Sequence, residues 1–253
     1  MSDMNSGAAA GGAPTMSTPE TLSGIFFEPA DTFEALRARP RFLVAALILV
    51  ALSLAVTVLV LQKVNYEEVV RRAIESNPRT EQMTPEQKEQ TIAMQTGPLG
   101  KSIAYAAPVI GAIVVLAAGA GLYLLGASLM GGKLSYKQAL SVWTYSSFPP
   151  VVLGTVLAVV LLFLKSADDL DFSRPGAGLV VTNLGALLGA GSSPVLRAAL
   201  SWFDLFTFYG MFLAALGLRK VGKLSSGSAW TIVIALWLLG MLLGVGRATL
   251  FGG

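Results

Sequence analysis

Two ionisable residues inside long apolar runs are the first candidates for chemistry. Asp204 lies in a run that ends at Leu218, and Arg247 lies in the last apolar run of the chain. A charged group inside a membrane-spanning helix is costly and normally has a partner or a functional role. In two antiparallel helices, at about 1.5 Å per residue, Asp204 would lie about 22 Å and Arg247 about 27 Å from the end at which the two helices are joined. We therefore predict an Asp204–Arg247 ion pair, with a proton or ion relay as the alternative.

A second candidate is the polar stretch that leads into Pro149 and Pro150. The two prolines leave the carbonyls of Tyr145 and Ser146 without their helical donors, so we expect a kink there. Neighbouring hydroxyl groups are the expected replacement donors, namely those of Thr144, Ser146 and Ser147. Broken helices line substrate sites in transporters, so Tyr145, Ser146, Pro149 and Pro150 form a candidate polar site. A purely structural kink is the alternative.

The remaining composition argues against most active-site chemistry. The chain has no cysteine and no histidine, which excludes disulfides, Cys/His metal sites, thiol nucleophiles and Ser/His pairs. The acids Asp168, Asp169 and Asp171 lie in one loop, where turn and cap roles are typical. The net charge of +3 comes from basic residues beside apolar runs, so nucleic acid is not an expected partner. No catalytic, metal-binding or cofactor-binding residue is expected.

Membrane-spanning helices are the elements that must position these residues. The chain is 54% hydrophobic and 13% charged, and its mean hydropathy is +0.66. A bilayer core of about 30 Å requires about 20 mostly apolar helical residues. The uncharged runs of that length are 42–61, 103–130, 139–164, 198–218 and 229–250. We predict an all-α integral membrane bundle of five transmembrane helices.

The positions of lysine and arginine predict the orientation of this bundle. Basic residues precede the first span and occupy the links between spans two and three and between spans four and five. Such residues remain in the cytoplasm, so the N-terminus is expected inside and the C-terminus outside. The run 176–191 has only about 14 strongly apolar residues, which indicates a re-entrant or interfacial segment rather than a sixth span.

The chain outside the spans divides into three parts. Residues 1–23 are mostly small and polar and are expected to form a disordered cytoplasmic tail. Residues 24–41 mix aromatic with charged residues, which favours an amphipathic helix on the cytoplasmic leaflet; a juxtamembrane stop is the alternative. The first loop, 66–100, contains a Thr84–Gln87 capping box and a helical apolar face, and it predicts an external helical hairpin. The membrane domain covers residues 42–253.

Pairs of glycines also have a spacing that permits close helix packing. Gly240 and Gly244 lie in the last span, and Gly185 and Gly189 lie in the short apolar run. Such spacing lets helix backbones approach one another. We expect these positions to pack within the monomer, with homodimerisation as the alternative.

Three stretches of the chain resemble the Yip family, the Ypt/Rab-interacting proteins, in its bacterial form. They are IFFEPADTF at 25–33, MGGKLSYKQAL at 130–140 with the later Pro149-Pro150, and WFDLF at 202–206 leading to GLRKVGK at 217–223. The resemblance covers about residues 24–250. It implies a non-enzymatic five-span protein, in a bacterium one of the inner membrane, whose eukaryotic relatives act in vesicle trafficking with Rab-type GTPases.

Two classes of function therefore remain open. A membrane scaffold or adaptor, in membrane organisation or trafficking, acts through helix and lipid contacts and predicts a core filled by side chains. A small transporter or permease subunit would use the kinked third span and predicts a polar cavity near Tyr145. Expected partners are membrane lipids, other membrane proteins or a second copy of the chain.

Overall fold

Ten α-helices make up most of the described chain. The computed structural model describes residues 16–75, 77, 80–166, 179–189 and 191–251. Within these ranges no β-strand forms, and an isolated bridge joins Asn183 to Asp204. The helices are α1 (Thr18–Phe27), α2 (Pro29–Ala38), α3 (Leu43–Lys63), α4 (Tyr66–Glu75), α5 (Pro85–Thr96), α6 (Pro98–Leu129), α7 (Tyr136–Leu164), α8 (Pro194–Leu200), α9 (Leu205–Gly222) and α10 (Ser226–Phe251). The predicted all-α fold is confirmed.

Five of the described helices are long and apolar enough to cross a membrane, namely α3, α6, α7, α9 and α10. The shortest of them, α9, has 18 residues and is about 27 Å long, close to the bilayer core of about 30 Å. The longest, α6, has 32 residues and is about 48 Å long, so it extends beyond that core. The chain is a multi-pass integral membrane protein, and the predicted number of spans is confirmed.

The fourth span begins later than the apolar run 198–218 predicts. Ser193 and Pro194 start a separate helix, α8, which ends at Leu200, and α9 begins at Leu205. The helices of the second and third spans extend beyond the uncharged runs and begin at Pro98 and Tyr136. Lysine side chains interrupt the uncharged runs there without interrupting the helices, because a charged side chain near a helix end reaches the interface.

The five long helices alternate in direction, which gives the bundle two distinct ends. At one end, the Lys133 amide of the α6–α7 link donates to the Gly222 carbonyl at the end of α9, 3.3 Å away. At the other end, the Lys63 ammonium donates to the carbonyls of Leu162 and Lys165. We call the first the N-terminal end, because α1 and α2 pack there, and the second the opposite end.

The main core lies along α7 and α9 in the half of the bundle nearest the N-terminal end. Val142, Tyr145, Leu213 and Leu218 are all buried in it. Gly217 lets α2 and α7 approach α9 closely, since a Cβ there would lie 2.8 Å from Phe33 and from Val142. Tight contact at a glycine therefore holds three helices together at one point.

The structure corrects both predictions for the chain before the first span. Residues 18–23, which were expected to be disordered, form the start of α1, and residues 1–15 lie outside the described chain. The segment 24–41 contains two helices rather than one, joined at Glu28. Their apolar faces contact protein instead of the acyl boundary: Ile25, Phe33 and Leu36 are fully buried in the core.

The hairpin predicted in the first loop is present as α4 and α5. Val70 and Ile74 of α4 pack against Ile92 of α5. The Thr84–Gln87 capping box forms at the start of α5. On the exposed side, Arg71 of α4 forms an ion pair with Glu89 of α5. At least one acidic residue of this loop, Glu89, is therefore paired with an arginine on a solvated, charged face.

The short apolar run before α8 is described only in part. Asn183 caps a 3₁₀ helix, Leu184–Leu187, which packs against α8. A Cβ on Gly185 would lie 2.8 Å from the Arg197 carbonyl, so this glycine makes close contact with α8 within the monomer. The re-entrant assignment of 176–191 stays a prediction. Asp168, Asp169 and Asp171 lie outside the described residues.

Candidate functional site

Pro149 and Pro150 are accommodated within the continuous helix α7. The hydroxyls expected to replace their missing donors do not do so. Ser146 and Ser147 both donate to the Trp143 carbonyl, at 3.0 and 2.9 Å, which is the usual bond of a helical serine to the preceding turn. The buried Thr144 hydroxyl has no hydrogen-bond partner among the described residues. The predicted capping of the Tyr145 and Ser146 carbonyls by these hydroxyls is therefore wrong.

Helix α9 covers α7 at this point. A Cβ on Gly210 would lie 3.6 Å from the Pro150 ring and 3.7 Å from the Ser146 carbonyl oxygen. Ser146, Pro149 and Pro150 are all buried. The proline segment is thus packed against a neighbouring helix, and we find it in neither of the two cavities described below.

Tyr145 points its hydroxyl toward the N-terminal end of the bundle. Its oxygen lies 2.9 Å from the Thr21 hydroxyl oxygen of α1. Thr21 donates its own proton to the Thr18 carbonyl at 2.8 Å, so Tyr145 is the donor of the bond between the two hydroxyls. The side chain is 1% exposed. Tyr145 therefore has a structural partner that links the third span to α1.

Asp204 is the N-cap of α9 rather than a residue within the fourth span. Its carboxylate accepts the Thr207 amide at 3.0 Å and the hydroxyl of Thr182. Backbone bonds on either side fix its position, because Leu184 donates to Phe203 and Leu205 donates to Thr182. A carboxylate at this position satisfies a free amide and interacts favourably with the helix dipole.

The predicted ion pair between Asp204 and Arg247 does not form. Among the described residues no salt bridge joins them. Trp202 belongs to the α8–α9 link. Its ring packs against α10 at Gly240 and Gly244, which have no side chain to obstruct it. Trp237 of α10 also donates to the Trp202 carbonyl at 3.1 Å. The Asp204 carboxylate is instead bound by the Thr207 amide and the Thr182 hydroxyl at the start of α9. The glycine pair packs within the monomer, as expected.

Asp204 and Tyr145 line two different cavities. A cavity of about 620 Å³ lies between α3, α7 and the residues before α8; its polar lining includes Thr57, Thr155, Thr182 and Asp204. A cavity of about 390 Å³ at the N-terminal end is lined by Thr18, Pro40, Arg41, Phe42, Leu43, Val44, Lys137 and Tyr145. The sequence candidates are therefore not brought together into one site.

Helices α1 and α2, which we call the N-terminal cap, are fixed to the ends of α7 and α9. The Lys220 ammonium of α9 binds the Glu34 carboxylate of α2 at 2.5 Å. Hydrogen bonding and attraction by Lys220 hold the pKa of Glu34 below its usual value. The Gln138 amide of α7 donates to the Arg37 carbonyl at 3.1 Å. Sequence reasoning missed these contacts, because it placed residues 24–41 on the cytoplasmic leaflet rather than against the bundle.

The fold and these sites define a class of protein: a multi-pass α-helical membrane protein with a helical cap at one end. Among the described residues no group of three or more His, Cys, Asp or Glu side chains could hold a metal ion.

Comparison with known proteins gives the family. The model of the Yip1 domain matches residues 23–247, and the chain belongs to that family. It is also similar to a protein named Membrane protein YknW from Bacillus subtilis (strain 168), with 27% identity over 223 residues, 88% of this chain and 87% of the relative. No solved structure matches the chain. The resemblance found in the sequence is thereby confirmed.

Proposed function

We propose that the protein is a non-enzymatic scaffold or adaptor that holds other membrane proteins at the N-terminal end of its bundle. The observation that carries the proposal is the rigid attachment of the N-terminal cap. Phe33 and Leu36 of the cap are fully buried against the bundle, and Glu34 of the cap is paired with Lys220 of α9. A rigid surface binds a partner without first losing conformational entropy, which favours association.

An exposed aromatic side chain marks the cap as a contact surface. Phe27 ends α1 with 85% of its surface exposed, beside the exposed Glu28. Aromatic residues, phenylalanine among them, are enriched in protein interfaces relative to the rest of the surface. We take Phe27 as the position from which a partner is contacted.

The cap is proposed to lie in the cytoplasm. Basic residues are concentrated at this end, in the last turn of α2, in the α6–α7 link and at the end of α9. Cytoplasmic loops retain lysine and arginine. Because the chain has no cysteine, single substitutions F27C and M94C can report the orientation without background labelling. A membrane-impermeant maleimide should label M94C in intact cells and F27C only after lysis.

The transport alternative has less support. It predicts a polar cavity near Tyr145, and the cavity of about 390 Å³ does include Tyr145 in its lining, but that cavity lies at the end of the bundle beside Arg41 and Lys137. Ser146, Pro149 and Pro150 do not line it. The cavity beside Asp204 is a separate site. A scaffold requires only an accessible surface, and the N-terminal cap supplies one in the exposed Phe27.

A photo-crosslinking amino acid placed at Phe27 tests the proposal in the native membrane. The matched control is Met94 on α5 at the opposite end, which is 65% exposed. We expect a single protein partner to be crosslinked from position 27 and not from position 94. Crosslinks to lipid alone from both positions, together with solute uptake by reconstituted vesicles, would favour transport over the adaptor role.

A further inference from the structure

We propose that the cavity at the N-terminal end binds the phosphate group of an anionic phospholipid. Two cationic side chains line it, Arg41 just before α3 and Lys137 in the first turn of α7. Among the described residues no carboxylate pairs with either of them, whereas Lys220 at the same end is paired with Glu34. A cavity with two unpaired cations is complementary to an anion.

The hydrogen bonds around the cavity fix its polar groups. The Arg41 guanidinium donates to the Thr18 hydroxyl at 3.4 Å, which leaves the Thr18 proton free to reach a ligand. The Tyr145 proton is already used in the bond to Thr21. Tyr145 therefore forms part of the wall, and neutralising an anion is left to Arg41 and Lys137. A guanidinium binds phosphate oxygens in a fork, and an ammonium adds a point charge.

The apolar part of the cavity favours a lipid over a free phosphate ion. Phe42, Leu43 and Val44 continue the lining into the first turn of α3. Leu43 is 62% exposed, and Leu47, one turn further along α3, is 59% exposed. A headgroup at Arg41 would thus have its acyl chains along an apolar helix surface. The volume of about 390 Å³ is within the range of small-molecule sites, about 300–1,000 Å³.

Native mass spectrometry of the full chain in detergent, titrated with phosphatidylglycerol, tests the proposal. We expect one tightly bound phosphatidylglycerol and much weaker binding of the zwitterionic phosphatidylcholine. The double variant R41Q/K137Q should bind phosphatidylglycerol about 30-fold more weakly, as expected for two cations beside an anionic headgroup. The matched control is R39Q/K133Q, which removes the same charge from two exposed residues outside the cavity and should bind as the wild type does.

The other outcomes would overturn the proposal. Equal weakening in both double variants would mean that only the overall charge of this end attracts lipid, and no weakening in R41Q/K137Q would mean that the lipid lies elsewhere. If inorganic phosphate alone stabilises the wild type but not R41Q/K137Q, and phosphatidylglycerol has no preference, the ligand is a free anion. Should the double variant not fold, K137Q at an exposed position should still weaken binding about fivefold.

Discussion

Tyr145 and Thr21 are joined by a buried hydrogen bond of 2.9 Å between side chains 124 positions apart in sequence. The bond connects the third span to the first helix of the N-terminal cap. The bond also gives the Tyr145 hydroxyl a structural role. The cap and the membrane bundle are therefore expected to unfold together.

Removing the Tyr145 hydroxyl should lower the stability of the protein. Y145F deletes the donor and leaves the Thr21 oxygen with one hydrogen bond fewer, so we expect the free energy of unfolding to fall by about 1 kcal/mol. T21V should cost a similar amount. Unfolding in detergent measures both changes, and a double variant no less stable than either single variant would establish that they share one interaction.

Asp204 should stabilise the start of α9 independently of Arg247. We expect D204A to cost about 1 kcal/mol through the lost N-cap and D204N to cost less, since asparagine is also a good N-cap. R247Q should leave stability close to wild type, and its effect should add to that of D204A. Recovery of yield in the charge swap D204R/R247D would instead point to an ion pair, and would contradict the capping role.

Gly217 should tolerate no larger side chain. G217A places a Cβ 2.8 Å from Phe33 and from Val142, and overpacking of this kind costs about 1–3 kcal/mol. The matched control is G111A in α6, where a Cβ would meet nothing within 4 Å. Alanine favours a helix more than glycine does, so G111A should be neutral or stabilising. Equal melting temperatures of the two variants would argue against the close contact of α2, α7 and α9.

The ion pair between Glu34 and Lys220 should make stability depend on pH. Lys220 lowers the pKa of Glu34 in the folded protein. A lowered pKa stabilises the fold above the unfolded value of about 4.3, and this contribution is lost as the pH falls through the folded pKa. The wild type should therefore be more stable than E34Q near neutral pH, and the difference should shrink below about pH 4. A difference that grows on acidification would contradict the ion pair.

The sequence predicted the features that depend on local pattern. Long uncharged runs identified five spans because the bilayer requires their length. The cap of α5 followed from Thr84 and Gln87. These features need no knowledge of the neighbours in space.

The features that failed depend on where helices begin or on what covers them. Asp204 follows an uncharged stretch, so nothing interrupts the hydropathy at the break between α8 and α9. The start of α1 had a local signal, the Ser17–Glu20 capping box, but the small-residue composition of the first 23 positions concealed it. The segment 24–41 was assigned to the membrane surface, because an apolar helix face has the same sequence pattern whether lipid or protein covers it.

The central claim is that this Yip1 family protein acts by holding another membrane protein. The most direct measurement is the composition of the complex obtained by crosslinking in the native membrane and gentle purification of the full chain. The adaptor role predicts one protein partner in a fixed ratio, contacted from Phe27. Recovery of the chain without a protein partner, carrying only lipid or a tightly held solute, would contradict it.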